Sequence, residues 1–349
     1  MEATVSTQPG PVPEAPSLMP MITGAWASQA ICVAAKLGLA DLLHDKARHV
    51  AELALATETA PSALARLLHA LSALGVFSEI EPDVFACAAL GEQLRTGVPG
   101  SLRNFAMFVG SEDTRRAWSD LAYSVRTGKS AFRKVFGTST FEHRASQPEE
   151  ARIFNEAMAE MTRQVGNAAV AAYDFSRFKT IVDVGGGNGA LLSVVLSWCP
   201  GLNGTIFDIP SGTSDASEAL AAAGLSDRCR IVHGDFFKAV PPAADAYILK
   251  SVIHDWDDAS SRNILTNCAA AMTADSRLLL IEQVLPARVE EIPAHRRALL
   301  TDLNMLVMTT GCERTDAQYR ALLASSGLSV EAIVATASPF SLIEARRII

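Results

Sequence analysis

The segment VDVGGGNGALL, residues 182–192, leads from an apolar run through three successive glycines and Asn188 into a helical start. In open α/β sheets ligands sit at the carboxyl ends of the strands. Glycines there let the backbone approach a ligand with no Cβ in the way. Outward from this turn the same rhythm repeats. TIVDVG, GTIFDI, RIVHGDFF, AYILKSVI and RLLLIEQVL are short apolar runs, as expected of strands buried on both faces. ALLSVVLSWCP, ASEALAAAGLS and ASSRNILTNCAAAM fill the gaps with helical patterning. This alternation predicts a Rossmann-like doubly wound parallel sheet over residues 173–349.

Upstream the pattern is helical. AICVAAKLGLADLL (30–43) and PSALARLLHALSALGVF (61–77) space their apolar residues three and four apart. Thr57, ahead of Glu58 and Pro61, reads as a helix start. EPDVFACAAL follows and reads as a small hairpin, so residues 19–110 have the order of a winged helix. Residues 111–172 read as a helical linker and pocket region, and the Pro- and Ser-rich residues 1–18 as a disordered lead-in.

A winged helix suggests DNA, but the helix from Pro61 to Leu74 offers only Arg66 and His69 as cationic candidates. A recognition helix needs several basic or amide side chains facing the groove. Thirty Lys and Arg against 38 Asp and Glu give a formal charge of −8, which also argues against gripping a phosphate backbone. Reuse of the winged helix for dimerisation is therefore expected, and the uncharged apolar start of that region fits a covered face. The six cysteines are scattered with no C-x-x-C pair and read as reduced thiols of a cytoplasmic protein. No secretory signal is visible. Residues 15–35 are uncharged but too interrupted by polar residues and prolines to span a bilayer.

The glycine turn alone fits two ligands. Gly185-x-Gly187-x-Gly189 suits S-adenosylmethionine (SAM), and Gly185-x-Gly187-x-x-Ala190 suits a dinucleotide. Asp208 closes the second strand 19 residues past Gly189, where an acid binds ribose hydroxyls of either ligand. Asp235 and Phe236 after the third strand favour SAM: the acid can bond an adenine amine and the ring can cover its face.

The ordered set VDVGGGNG, FDIP, GDFF, LKSVIHDWDD, LLLIEQVLP and GCERT resembles the plant-type small-molecule O-methyltransferases and their bacterial natural-product relatives. The resemblance covers about residues 20–349. It implies a winged-helix dimerisation domain, a class I SAM-dependent methyltransferase domain, a homodimer, and SAM converted to S-adenosylhomocysteine with no metal. Gly185, Gly187, Asp208, Asp235, Phe236, Lys250 and Thr162 are then the expected cofactor contacts.

His254, just past the fourth strand, is the expected general base for a hydroxyl on a small aromatic acceptor. A phenol has a pKa of about 10, and neutral imidazole, with a pKa of about 6.5, can take its proton during attack. In the family pattern two acids orient that histidine, and they map onto Glu282 and Glu313. Glu282, expected at the end of LLLIE, is taken as the first orienter and Glu313 as the second. Thr315 and Gln318 resemble a capping box, which leaves Glu313 free of that duty. Phe154, Met158, Asp255, Trp256, Met305 and Met308 are the expected acceptor contacts, the methionines suiting a flat ring. N- or C-methylation, a relative that no longer methylates, a nicotinamide oxidoreductase and a DNA-binding regulator are the competing readings.

Overall fold

The computed structural model describes residues 17–348. The expected lead-in therefore lies outside the described residues up to residue 16. Two compact units divide at Thr96 and Gly97.

The first unit holds helices Met19–Ile22, Gly24–Lys36, Leu39–Leu43, Val50–Ala56 and Pro61–Ala73. Its three strands are β1 (Arg48–His49), β2 (Phe77–Glu81) and β3 (Val84–Cys87), ordered β1–β3–β2 and antiparallel. The expected order of helix, helix, hairpin is present. Leu39, Leu43, Leu53, Leu68, Leu71, Phe77 and Phe85 form the unit's fully buried apolar interior. Residues 30–43 are not one helix: Gly38 stands at φ +64° and breaks it in two. Thr57 is not a helix start either. Its backbone N–H caps the preceding helix, and the next begins at Pro61, whose fixed φ suits a first helical position. Leu18, Met19, Met21, Ile22 and Trp26 are exposed, Trp26 at 76%.

The second unit contains a sheet built from β4 (Thr180–Val184), β5 (Asn203–Asp208), β6 (Cys229–His233), β7 (Ala246–Lys250), β8 (Arg277–Leu285), β9 (Arg314–Thr315), β10 (Leu328–Ala335) and β11 (Phe340–Arg347). The order is β10–β11–β8–β7–β4–β5–β6, with β9 added to β8. β4 to β8 run parallel, while β11 pairs antiparallel with both β8 and β10. Alternate residues face opposite layers, as the two-residue period of a strand requires. Ile181 and Ile248 enter one core with Leu191, Leu192 and Val195; Val182, Tyr247 and Leu249 enter the other with Ile264, Leu265 and Leu322.

The division into compact units falls after Thr96, ahead of the bounds expected at residues 110 and 172. The Pro148–Ala172 helix buries Val165, Ala169 and Val170 in the same core as Leu191 and Val195 of the Ala190–Trp198 helix. Gly166 permits this close approach, since a Cβ there would stand 3.2 Å from Val194. Apolar periodicity marks such helices but does not say which neighbour they bury against. Among the described residues no helix is long and apolar enough to cross a membrane.

Gly189 begins the helix after the glycine turn at φ +80°, and a Cβ there would meet Ile206 Cδ1 at 2.5 Å. Gly189→Ala is expected to destabilise the fold by about 2–4 kcal/mol, combining left-handed strain with overpacking. Thermal unfolding would check this; an unchanged midpoint would show that the turn absorbs the methyl group.

Candidate active site

The parallel strands deliver the expected residues to one edge. β4 ends at Val184, and Gly185 turns away at φ +75°. A Cβ on Gly185 would lie 2.8 Å from Val252 Cγ2 and 3.7 Å from the Phe236 ring, so the turn touches the loops after β6 and β7 together. Asp208, last in β5, accepts hydrogen bonds from Gly187 N at 2.9 Å and Ile209 N at 2.7 Å. Burial raises its pKa, and these backbone bonds oppose the rise. The carboxylate retains lone pairs for further donors. Asp235 accepts from Phe237 N at 2.9 Å and lies 3.4 Å from Lys238 Nζ. Lys250 ends β7, and its Nζ donates to Thr162 Oγ1 at 3.2 Å.

Asp183 was not among the expected site residues. It is buried beneath the turn, and a Cβ on Gly186 would lie 2.9 Å from its carboxylate. Burial, then the nearby Asp208 charge, pushes its pKa up to about 7. Its Oδ2 has no partner among the described residues. One acid inside an otherwise apolar strand was the available signal.

His254 lies in the short turn Ile253–Asp255 after β7. Its Nδ1 is 2.8 Å from Glu313 Oε1 and 3.8 Å from Glu282 Oε2. Only the first is a hydrogen-bond distance. The expected ranking of the two orienters is therefore reversed. Glu282 instead accepts from Val252 N at 3.0 Å and Ile253 N at 2.9 Å through Oε1, and so fixes the turn that carries the histidine. It also lies inside β8 rather than at its end, because the pairing with β11 and β9 carries that strand on to Leu285.

A carboxylate only accepts, so the Glu313 contact assigns the hydrogen to Nδ1. Nε2 remains on the side of Asp255, whose Oδ1 is 3.9 Å away. Burial opposes charge on the imidazole, but Glu282, Asp255 and Glu313 outweigh it and hold the pKa well above its ordinary range. Burial likewise raises Glu282, with Glu313 and Asp255 adding to the rise and His254 resisting it.

Glu313 is itself held from behind. Its backbone N–H donates to Asp302 Oδ1 at 2.9 Å, and Gln283 Nε2 donates to its Oε1 at 3.3 Å. The Thr315–Gln318 capping box is present, so helix capping falls to other residues. Arg314, only 2% exposed, donates to the carbonyls of Ile253 at 3.1 Å, Trp256 at 3.0 Å and Cys312 at 3.2 Å, and to Asp258 at 2.8 Å. It thus ties the Glu313 strand to the His254 turn. Gly311 makes that contact sterically possible, because a Cβ there would fall 1.9 Å from His254 O. Neither Arg314 nor Gly311 was anticipated, although both lie in or beside the GCERT run.

The remaining expected contacts divide. Asp255 adjoins His254 as expected. Trp256 packs in an aromatic group, stacked on Phe141 at 5.7 Å and edge-on to Phe236 at 6.2 Å and Phe237 at 4.8 Å. One face of Phe154 is covered by the Arg144 guanidinium at 3.4 Å, and Phe108 meets it edge-on at 5.1 Å. Met305 is buried, and Met308 is buried beside Ala117, Phe132 and Val307. Met158 is half-buried on the Pro148–Ala172 helix.

A family model described as an O-methyltransferase domain matches residues 118–329, and one described as an O-methyltransferase dimerisation domain matches residues 19–96. The chain belongs to the O-methyltransferase family. A phenazine O-methyltransferase of Lysobacter antibioticus is 46% identical over 345 residues, covering 99% of this chain and all of the relative. An 8-amino-8-demethylriboflavin N,N-dimethyltransferase of Streptomyces davaonensis is 36% identical and covers 89% of both chains. The crystal structure of an O-methyltransferase from neocarzinostatin biosynthesis, in complex with SAM and 2-hydroxy-5-methyl naphthoic acid, superposes with a TM-score of 0.79 at 33% identity. It covers 92% of this chain and 96% of that one. The protein is a SAM-dependent methyltransferase of the class I fold. The cradle at Gly185, the unpartnered Asp183 oxygen and the acid at Asp208 suit that cofactor.

Arg314→Met would leave three backbone carbonyls without their donor. It is expected to cost roughly 2–3 kcal/mol of stability and to lower methyl transfer by loosening the His254 turn. Denaturant unfolding alongside turnover would test this, and retention of both properties would show that Arg314 is dispensable.

Proposed function

We propose that this methyltransferase acts on a hydroxyl of a small aromatic natural product, with His254 as general base. The observation that carries the reading is the Nδ1–Glu313 hydrogen bond, which leaves Nε2 to receive the acceptor's proton. Bound SAM supplies a methyl group already activated on a sulfonium. Gly185, Gly187, Asp208, Asp235, Phe236, Lys250 and Thr162 hold that cofactor, with Asp208 on its ribose. His254 takes the hydroxyl proton, and Glu313 stabilises the resulting imidazolium. Glu282 holds the turn and adds negative charge. Asp255, Met158, Met305 and Met308 face the acceptor, and alignment supplies much of the acceleration. Phe154 and Trp256 serve the pocket through the groups they pack against.

An aromatic acceptor is favoured by what the relatives' names state, a phenazine and a naphthoic acid among them. A riboflavin N,N-dimethyltransferase among them makes nitrogen the competing acceptor. The proton-holding network favours oxygen, because a neutral amine attacks before it must lose a proton.

His254→Ala is expected to lower turnover about 10²- to 10⁴-fold with nearly unchanged SAM affinity. In the unmodified enzyme the rate should rise with pH through a His254 pKa above about 6.5, because only neutral imidazole accepts a proton. Glu313→Gln removes one of the three carboxylate charges that raise this pKa, together with the charged hydrogen bond to Nδ1. The rise should then move to lower pH, and the plateau should fall because the base is weaker. Single-turnover methyl transfer over a pH series measures all three. Full activity of His254→Ala at neutral pH would mean a nitrogen or already ionised acceptor.

We further propose a homodimer formed through the exposed face of Met19, Met21, Ile22 and Trp26, which the matched dimerisation domain supports. Sedimentation should give a dimer at micromolar concentration, and Trp26→Asp should shift it toward monomer. A monomeric unmodified protein would contradict this.

A further inference from the structure

Arg144 occupies a position that the proposed reaction leaves unused. It lies on the short helix Thr140–Ala145, which the Ser139–Glu142 capping box anchors. Phe141 of that helix stacks on Trp256, two residues beyond His254. The guanidinium carbon lies over the Phe154 ring, 3.4 Å from its centroid, and 5.8 Å from the centroid of Phe108. Among the described residues no carboxylate oxygen forms an ion pair with it, whereas the neighbouring His143 is paired with Asp113 at 2.9 Å. Burial lowers the Arg144 pKa to about 10, and the charges of Asp255, Asp113 and Glu150 oppose that fall. It therefore stays charged at neutral pH, partly buried, with its planar fork of N–H donors unmatched.

Arg144 borders a narrow recess with Phe108, Thr140, Gln147 and two acids, Asp113, which is already paired with His143, and Glu150. Guanidinium stacked on an aromatic face presents its edge to a planar anion, and a carboxylate matches that edge with two parallel hydrogen bonds.

We propose that Arg144 binds a carboxylate carried by the aromatic acceptor, so that the substrates of this enzyme are hydroxylated aromatic carboxylic acids. This rests on the reading of an aromatic hydroxyl acceptor and names its second functional group. The Phe154 stack holds the guanidinium edge toward the recess. The anion is bound at Arg144 while the reacting oxygen lies toward His254, so one charge pair orients the ring for transfer.

The test is calorimetric binding to the S-adenosylhomocysteine-loaded protein. Hydroxylated benzoic, naphthoic and phenazine-1-carboxylic acids are each compared with the matching carboxamide, and methyl transfer is followed in parallel. The unmodified protein should bind at least one acid about 10- to 100-fold tighter than its carboxamide, the usual range for a charged hydrogen-bonded pair. Arg144→Met should abolish that preference with little change in carboxamide binding, and Arg144→Lys should restore part of it. Equal binding of acid and carboxamide, no binding of any acid, or an equal loss for both in Arg144→Met would overturn the proposal. The last result would mean that Arg144 only balances Asp255. Selective binding of an acid without methyl transfer to its hydroxyl would support the Arg144 assignment and count against hydroxyl methylation, so the two failures are distinguishable.

Discussion

A carboxylate buried against a histidine must be supported from behind, or it will turn toward water. Glu313 is supported through its own backbone by Asp302 and through its side chain by Gln283. Its contact with His254 Nδ1 then sets which imidazole nitrogen carries the hydrogen. Glu282 and Arg314 act on the other half of the pair, tying down the backbone of the His254 turn from its N–H and carbonyl sides. Much of the local structure around the strand ends follows from keeping these two side chains in register. The cost of burying several charges is offset in part by these hydrogen bonds and by attraction between the carboxylates and the imidazole, although Glu282 Oε2 and Glu313 Oε2 are buried with no hydrogen-bond partner among the described residues.

The sheet makes this arrangement possible by placing β4, β5 and β7 parallel and adjacent. Their carboxyl ends bring the glycine turn, Asp208 and the His254 turn to one edge. Val252 packs into the space left by the missing side chain of Gly185, so the cofactor turn and the turn bearing the proposed base share one contact. A change at the glycine turn is therefore felt two residues from His254. The acidic strand residue Asp183 lies beneath the glycine turn, its pKa pushed up to about 7 by burial.

The parallel sheet was legible because doubly buried strands read as unbroken apolar runs between helical stretches. The residues at the strand ends were legible for a related reason: His254, Asp208 and Glu282 are polar groups at or beside the ends of such runs. The ranking of Glu282 over Glu313 failed because proximity along a strand says nothing about which oxygen reaches the imidazole. Glu282 spends one oxygen on two backbone N–H groups, which only the folded turn presents. Arg314 and Gly311 were missed because their roles exist only where the residue 309–315 segment crosses the His254 turn. The division after Thr96 was not legible because helices with similar apolar stripes can bury them against quite different partners. Arg144 carries no local signal at all; its significance lies in an unpaired charge beside a stacked ring.

Glu313 holds the hydrogen of His254 on Nδ1 and, with Glu282 and Asp255, raises the imidazole pKa. Nitrogen-detected NMR titration of the imidazole in the S-adenosylhomocysteine-loaded protein tests it without needing the acceptor. The expected result is a pKa well above about 6.5, the neutral form protonated at Nδ1, and a fall in that pKa in Glu313→Gln. A pKa at the ordinary value, or a neutral imidazole protonated at Nε2, would contradict it.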